Sequence, residues 1–186
     1  MVILRVLNNN VVLVRDEIGR EAILTGRGLG FQRRAGQDVD ASLIARRYIP
    51  VDNAESVAEV IAGIPLERLT LIERVFRRAA RELGTGVPSS TIVAVVDHVN
   101  QAMERVRQGL VMDYPLRAEA AHLHPEELRL AEAMVEQLNA AQEVQLPAGE
   151  AVALALHLFT AAVGAHSAQA VSYTHLRAHE TDSYLV

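Results

Sequence analysis

The sequence predicts an α+β protein in which a small four-stranded antiparallel sheet precedes an all-α helical bundle. Two observations carry this. Residues 2–7, 10–16, 20–25 and 43–49 are short runs rich in Val, Leu and Ile, separated by turn-forming residues. From Pro65 onward the apolar residues instead recur at spacings of three and four, the period of a helix. The change of pattern falls around Asp52-Asn53-Ala54-Glu55.

Each element follows from local chemistry. Asn8-Asn9 tolerates positive φ between the first two strands, and Asp16-Glu17-Ile18-Gly19 is a hairpin-like tetrad before the third. Residues 26–37 form a long glycine-containing connection at one edge of the sheet. A sheet of about 50 residues buries little apolar surface alone, so dimerisation through one face is expected. In the helical half, Leu66, Leu69, Ile72, Val75, Phe76, Ala79 and Leu83 share a face, and Gly84-Thr85-Gly86 closes the segment. Ser89 or Ser90 caps a second helix carrying Ile92, Val95, Val96, Val99, Ala102, Met103 and Val106, with Gly109 beyond its end. Leu110 to His124 is a connector broken at Pro115, with room for a short helix. Pro125-Glu126-Glu127 opens a third long helix, with proline in the first turn and acids facing the positive end of the dipole. Pro147 opens a fourth, apolar on almost every side from Ala151 to Val163 and so expected at the buried centre. The domains read as 1–56, a linker over 57–65, and a helical domain over 66–171.

Composition bounds the chemistry. A chain of 186 residues without cysteine has room for one or two small domains and no disulfide or thiolate metal site. Arg5 and the amides interrupt any apolar core by position 10, so no signal peptide is read at the start. The longest nearly apolar run falls well short of the roughly 20 residues that cross a bilayer. A soluble, cytoplasmic protein is expected. The net charge of −5 hides an asymmetry: residues 1–55 carry eight arginines against seven acids, and the remainder is clearly acidic. Such asymmetry suits a near-neutral binding module joined to an acidic regulatory one. All 18 basic residues are arginine, which favours planar, bidentate phosphate contacts. The stretch 172–186 has no apolar face continuing the last helix and looks like translated adaptor read-through, which implies that the natural protein continues past about residue 171.

Two motifs carry candidate chemistry. Asn8-Asn9-Asn10 lies between two apolar runs, and Gly26-Arg27-Gly28-Leu29-Gly30-Phe31-Gln32-Arg33-Arg34 lies downstream. Adaptable amides, close-approach backbone, a stacking ring and positive charge are what a small domain uses to hold structured RNA. Asn8 and Asn10 can read base edges or simply make a turn. Gly26, Gly28 and Gly30 admit a sugar–phosphate chain or positive φ, in a spacing unlike the G-x-G-x-x-G of dinucleotide folds. Phe31 is read as a base-stacking ring, with burial in a dimer core as the alternative. Gln32 completes the surface, and Arg27, Arg33 and Arg34 are read as phosphate contacts, with a merely solvated loop as the alternative. In the helical half, His98 sits at the edge of an apolar stripe and His157 inside the most apolar helix; each could be merely structural. His122-Leu123-His124 reads as a loop. No nucleophile set, paired carboxylates or metal-ligand spacing stands out, so no catalytic activity, metal or cofactor is expected.

The N-terminal module resembles the RNA-binding domain of the sugar-operon transcriptional antiterminators, the BglG/SacY family. Ile3, Arg5, Val6, Asn8, Asn9, Asn10 and Val11 match its opening motif, and Gly26 to Gly36 match its G-R-G-[IL]-G-F-x-K-K-x-G almost throughout. Arginine replaces lysine at positions 5, 33 and 34, and the usual I-E-K-x-F ending is degraded to Ile44-Ala45-Arg46-Arg47-Tyr48. The helical half is similar to the first PTS regulation domain (PRD) of that family: Asp97-His98-Val99 with Ala102 and Arg105, then Tyr114-Pro115-Leu116, His124-Pro125-Glu126-Glu127, Leu146-Pro147 with Glu150, and Ala155-Leu156-His157 fall on its motifs. The resemblance implies a homodimeric antiterminator that clamps an RNA hairpin in the leader of a sugar-utilisation transcript and so prevents terminator formation. It further implies control by the phosphocarrier and sugar-permease components of the phosphotransferase system. His98 and His157 match the phosphoacceptors, with Asp97 and Arg105 as electrostatic neighbours. The alternative is a PRD-type protein–protein regulator whose sheet domain no longer binds RNA.

Overall fold

The computed structural model describes residues 1–50, 53–110 and 112–164; the read-through tail expected over 172–186 lies outside them. Four strands, β1 (Val2–Asn8), β2 (Val11–Arg15), β3 (Glu21–Thr25) and β4 (Arg46–Tyr48), form an antiparallel meander in the order β1-β2-β3-β4. Six helices follow: α1 (Ala54–Ala62), α2 (Leu66–Glu82), α3 (Ser89–Arg107), α4 (Arg117–Leu123), α5 (Pro125–Ala141) and α6 (150–164). The α+β order is the one predicted.

Strand β2 explains how the sheet serves two cores. Its four apolar residues are all buried, and the period of two sends them to opposite faces. Val11 and Leu13, with Ile23 and Tyr48, join the core of the helical bundle. Val12 and Val14, with Ile3, Ala22, Leu24 and Leu29, form a second cluster beneath Val39 and Ile44 of the long connection. Both faces are therefore covered within one chain. Helix α1 and the bundle cover one face, and the connection covers the other.

The β2–β3 turn is fixed by Asp16, whose Oδ1 accepts from Ile18 N and Arg20 N at 3.1 and 2.8 Å, while Gly19 takes φ +84°. Arg20 and Arg47 close on its other oxygen at 3.1 and 2.7 Å.

Four expectations change in the helical half. The stretch read as a linker is mostly α1, capped by Asn53, whose side chain accepts from Ser56 N at 3.2 Å. It buries Ala54, Ala58 and Ile61 against the sheet and α3, with Val57 partly buried beside them, an apolar stripe at helical spacing but only nine residues long. Neither Ser89 nor Ser90 caps α3: Pro88 holds the cap position without a side-chain hydrogen bond, and the serines lie inside the first turn. His122 and Leu123 end α4 instead of forming a loop, with His124 as its C-cap. Finally, α6 is not buried all round. Ala151, Val152, Leu154, Ala155, Leu158 and Ala161 face the bundle, while Leu156 and Phe159 stay 43% and 38% exposed. Apolar composition on every side says that a helix can be buried, not which of its faces finds a neighbour. No helix among the described residues is long and apolar enough to cross a membrane.

Candidate functional site

The two N-terminal motifs, separated by some 15 residues of hairpin, are bonded to each other in the fold. Gly26 N donates to Asn10 O and Gly30 N to Asn9 O, each at 2.9 Å, and Gly28 N donates to Asn10 Oδ1 at 3.0 Å. The asparagine turn thus holds the glycine connection by three alternate amides. Two glycines have no room for a side chain: a Cβ on Gly26 would lie 1.8 Å from Leu43 O, and one on Gly30 would lie 2.2 Å from Asn8 O. Gly28 is different, with open space around it and φ +73°, a conformation that glycine adopts without cost.

This anchoring presents the side chains between the glycines. Arg27 and Gln32 are exposed, Gln32 at φ +53°, and Phe31 is 56% exposed. Among the described residues, Phe31 belongs to neither core cluster. Arg33 approaches Asp40 at 3.9 Å, and Arg34 is exposed one residue further on. Asn8 and Asn10 serve the architecture first: Asn8 Oδ1 accepts from Asn10 N at 2.7 Å, and Asn8 Nδ2 donates to Ala62 O at 2.9 Å. The Asn10 side-chain amine makes no hydrogen bond among the described residues. Helix α1 and the start of α2 border this surface, pairing Arg5 with Glu59 at 3.0 Å and Arg27 with Glu67 at 3.4 Å. Between them lies a cleft of about 270 Å³ lined by Asn8, Asn10, Ala62, Gly63 and Pro65.

A second cluster lies in the bundle. His98 on α3 and His157 on α6 meet edge-on, ring centroids 5.5 Å apart. Glu150, the first residue of α6 and buried to 4% of its side-chain surface, receives three partners. His98 Nε2 is 2.8 Å and Tyr114 Oη 2.7 Å from its Oε2, and Arg105 Nη2 donates to Oε1 at 3.0 Å. Burial alone would raise the Glu150 pKa, but the hydrogen bonds from His98, Tyr114 and Arg105 outweigh it and hold the carboxyl below its ordinary value. Burial and the Glu150 charge in turn push the Tyr114 hydroxyl up to about 12. Burial first, and the neighbouring His98 second, lower the His157 pKa, so this ring is neutral at neutral pH. Asp97 faces away from the cluster, accepting from Gln101 at 2.7 Å. His124 packs against Phe159 with ring centroids 4.2 Å apart and planes tilted by 46°, and it lies 3.9 Å from Glu127.

Two family models match this chain. Residues 1–57 match the CAT RNA binding domain and residues 73–161 the PRD domain. The beta-glucoside operon antiterminator of Dickeya chrysanthemi is 34% identical over 94% of this chain and 62% of its own length. Transcription antiterminator LicT of Bacillus subtilis (strain 168) is 33% identical over 87% of this chain and 59% of its own. The chain thus joins a CAT RNA binding domain to a PRD domain. It spans less than two thirds of the length of those curated relatives. The crystal structure of GlcT CAT-PRDI superposes with a TM-score of 0.65 at 26% identity, covering 87% of this chain and 97% of that one.

The CAT domain therefore holds Asn8, Asn10, Gly26, Arg27, Gly28, Phe31, Gln32, Arg33 and Arg34 on one turn and the connection bonded to it, and the PRD domain holds His98 and His157 ring to ring. The sequence reading kept Glu150 and Tyr114 only as motif positions. Nothing local marks Glu150 as the hub, because its partners lie 36 to 52 residues away.

Proposed function

We propose that the chain is the RNA-binding and first regulatory part of a transcriptional antiterminator. Its CAT domain holds an RNA hairpin in the leader of a sugar-utilisation transcript, and its PRD domain answers to histidine phosphorylation. The observation that carries this reading is the glycine connection: Phe31 and Arg27 stand exposed on a backbone anchored by Asn9 and Asn10. A ring and guanidinium groups on a fixed loop suit base stacking and phosphate contact. The names of the two curated relatives support the same reading. Gly26, Gly28 and Gly30 shape the loop, Asn8 and Asn10 hold it, and Gln32, Arg33 and Arg34 extend the contact surface.

For the PRD domain, His98 and His157 are the phosphoacceptors, and the donors are the phosphocarrier and permease components of the phosphotransferase system. The active species is a cytoplasmic homodimer. The chain acts by binding and switching and catalyses no reaction.

A second reading has its own observation. Arg5 and Arg27 are paired with Glu59 and Glu67, and Asn8 is engaged by Ala62, which suits a protein–protein regulator without RNA binding. One experiment separates the two. The full chain is titrated against a bulged leader hairpin at two salt concentrations, beside Arg27→Ala and Phe31→Ala. Tight, salt-sensitive binding that both variants weaken supports the antiterminator; a folded chain that binds no bulged hairpin supports the protein–protein regulator.

A further inference from the structure

We propose that Glu150 is a positioning residue that fixes the His98 ring so that Nδ1, and not Nε2, accepts the phosphoryl group. The inference rests on the phosphorylation reading above. Glu150 is buried and already receives the Arg105 guanidinium at 3.0 Å and the Tyr114 hydroxyl at 2.7 Å. A carboxylate so surrounded is ionised, and an ionised carboxylate only accepts hydrogen bonds. The His98 nitrogen that faces it at 2.8 Å, Nε2, is therefore the N–H. In a neutral imidazole the lone pair then lies on Nδ1.

The chemistry of the step follows from that tautomer. The Nδ1 lone pair of His98 attacks phosphorus, and the phosphorus–nitrogen bond of a phosphohistidine donor breaks, its electron pair returning to the donor imidazole. The His98 Nε2–H stays in place throughout. The ring gains positive charge as the new bond forms, and the Glu150 carboxylate lies against the edge where that charge is shared. This is the role that a carboxylate behind a histidine plays in nucleophilic catalysis, holding the tautomer and stabilising the cationic ring without taking its proton. His157 offers a contrast: no side chain among the described residues hydrogen-bonds its ring, so nothing comparable selects one of its nitrogens.

The test uses the full chain and phosphoramidate, a small phosphoryl donor that requires no partner protein. Peptide mass spectrometry locates the modified histidine, and phosphorus–nitrogen coupling in isotope-labelled protein identifies the bonded nitrogen. Nδ1-phosphohistidine is expected at position 98 in the wild type. In Glu150→Ala a mixture of isomers is expected, with labelling slowed roughly tenfold or more, the weight of one charge-assisted hydrogen bond. Glu150→Asp keeps the charge but shortens the reach by one carbon, and a shifted isomer ratio there carries the same meaning where alanine impairs folding. An Nε2 adduct in the wild type, an isomer ratio indifferent to both substitutions, or no labelling of His98 overturns the proposal. A phosphorylated histidine-carrier protein as second donor keeps the two readings apart. Labelling by phosphoramidate but by neither the carrier nor a phosphorylated permease component removes the phosphotransferase reading and leaves the positioning role intact.

Discussion

Tyr48 Oη donates to Glu73 Oε2 at 2.9 Å, joining the last strand of the CAT sheet to the first long helix of the bundle. Both residues are 1% exposed. Glu73 is further held by Arg77 at 2.7 Å and by Arg46 at 3.3 Å, so one buried carboxylate is matched by two guanidinium groups and a phenol. Burial and the Glu73 charge raise the Tyr48 pKa, which keeps the hydroxyl a donor. The seam between the domains is thus made of groups that cannot be separated without stranding charge.

Removing the carboxylate and removing the phenol therefore have unequal costs. Glu73→Ala leaves the buried Tyr48 hydroxyl without its acceptor while Arg46 and Arg77, both more than a third exposed, turn to water, and is expected to lose about 2–3 kcal/mol. Tyr48→Phe leaves Glu73 with both arginines and is expected to lose about 1–2 kcal/mol. Denaturant unfolding of the full chain measures both, and equal losses would contradict the arrangement.

The three glycines of the connection divide by cause. Gly26→Ala and Gly30→Ala place a Cβ against backbone oxygen and force the connection off the Asn8–Asn10 turn, a clash of the kind that costs about 1–3 kcal/mol or more. Gly28→Ala meets no atom but must hold positive φ, for about 1–2 kcal/mol. Thermal unfolding should rank Gly28→Ala mildest. In the RNA assay all three are expected to weaken binding if the connection carries the proposed contact surface.

Phe31→Ala and Arg27→Ala should weaken RNA binding in different ways. If the exposed ring stacks on a base as proposed, its loss lowers affinity by about 1–3 kcal/mol at every salt concentration, with stability unchanged. If Arg27 makes the proposed phosphate contact, its loss flattens the slope of log affinity against log salt by roughly 0.7–0.9. If the Phe31 variant changed the salt slope instead, the assignment of the two roles would fall.

The depressed His157 pKa fixes a pH window. Because the folded value lies below the ordinary 6.5, the unfolded chain binds the proton more readily. The contribution of this residue is complete above pH 6.5 and is lost as the pH falls toward the folded value. Glu150, also depressed, adds a second loss below its ordinary 4.5, complete once the pH has passed through its folded value. An NMR titration should find His157 titrating below 6.5 and moving upward, without reaching its ordinary value, in His98→Ala. An unchanged midpoint in that variant would show that burial acts alone.

Much of this architecture was legible in the chain because it follows from local geometry. The turn at Asp16–Gly19, the proline start of α5 and the glycine ends of α2 and α3 are each set by a few neighbouring residues. The anchoring of Gly26 and Gly30 was legible only as a spacing; the oxygens of Leu43 and Asn8 that forbid a side chain there come from elsewhere in the fold. Helix α1 carries Ala54, Val57, Ala58 and Ile61 at helical spacing, but over only nine residues, a run short enough to pass for a connection. The exposed face of α6 escaped because a helix apolar all round carries no mark of which side packs.

The sequence by itself determined the order of sheet and bundle, the glycine connection with its ring and arginines, and the two histidines, since strand and helix periods and turn chemistry are written within a few residues. The tertiary structure alone decided that both faces of the sheet are covered within one chain, that Glu59 and Glu67 lie against Arg5 and Arg27, and that Glu150 gathers His98, Arg105 and Tyr114. The physical reason is range. A backbone period constrains its nearest turns, whereas the partner of a buried charge is whichever group packing brings within about 3 Å, however distant along the chain.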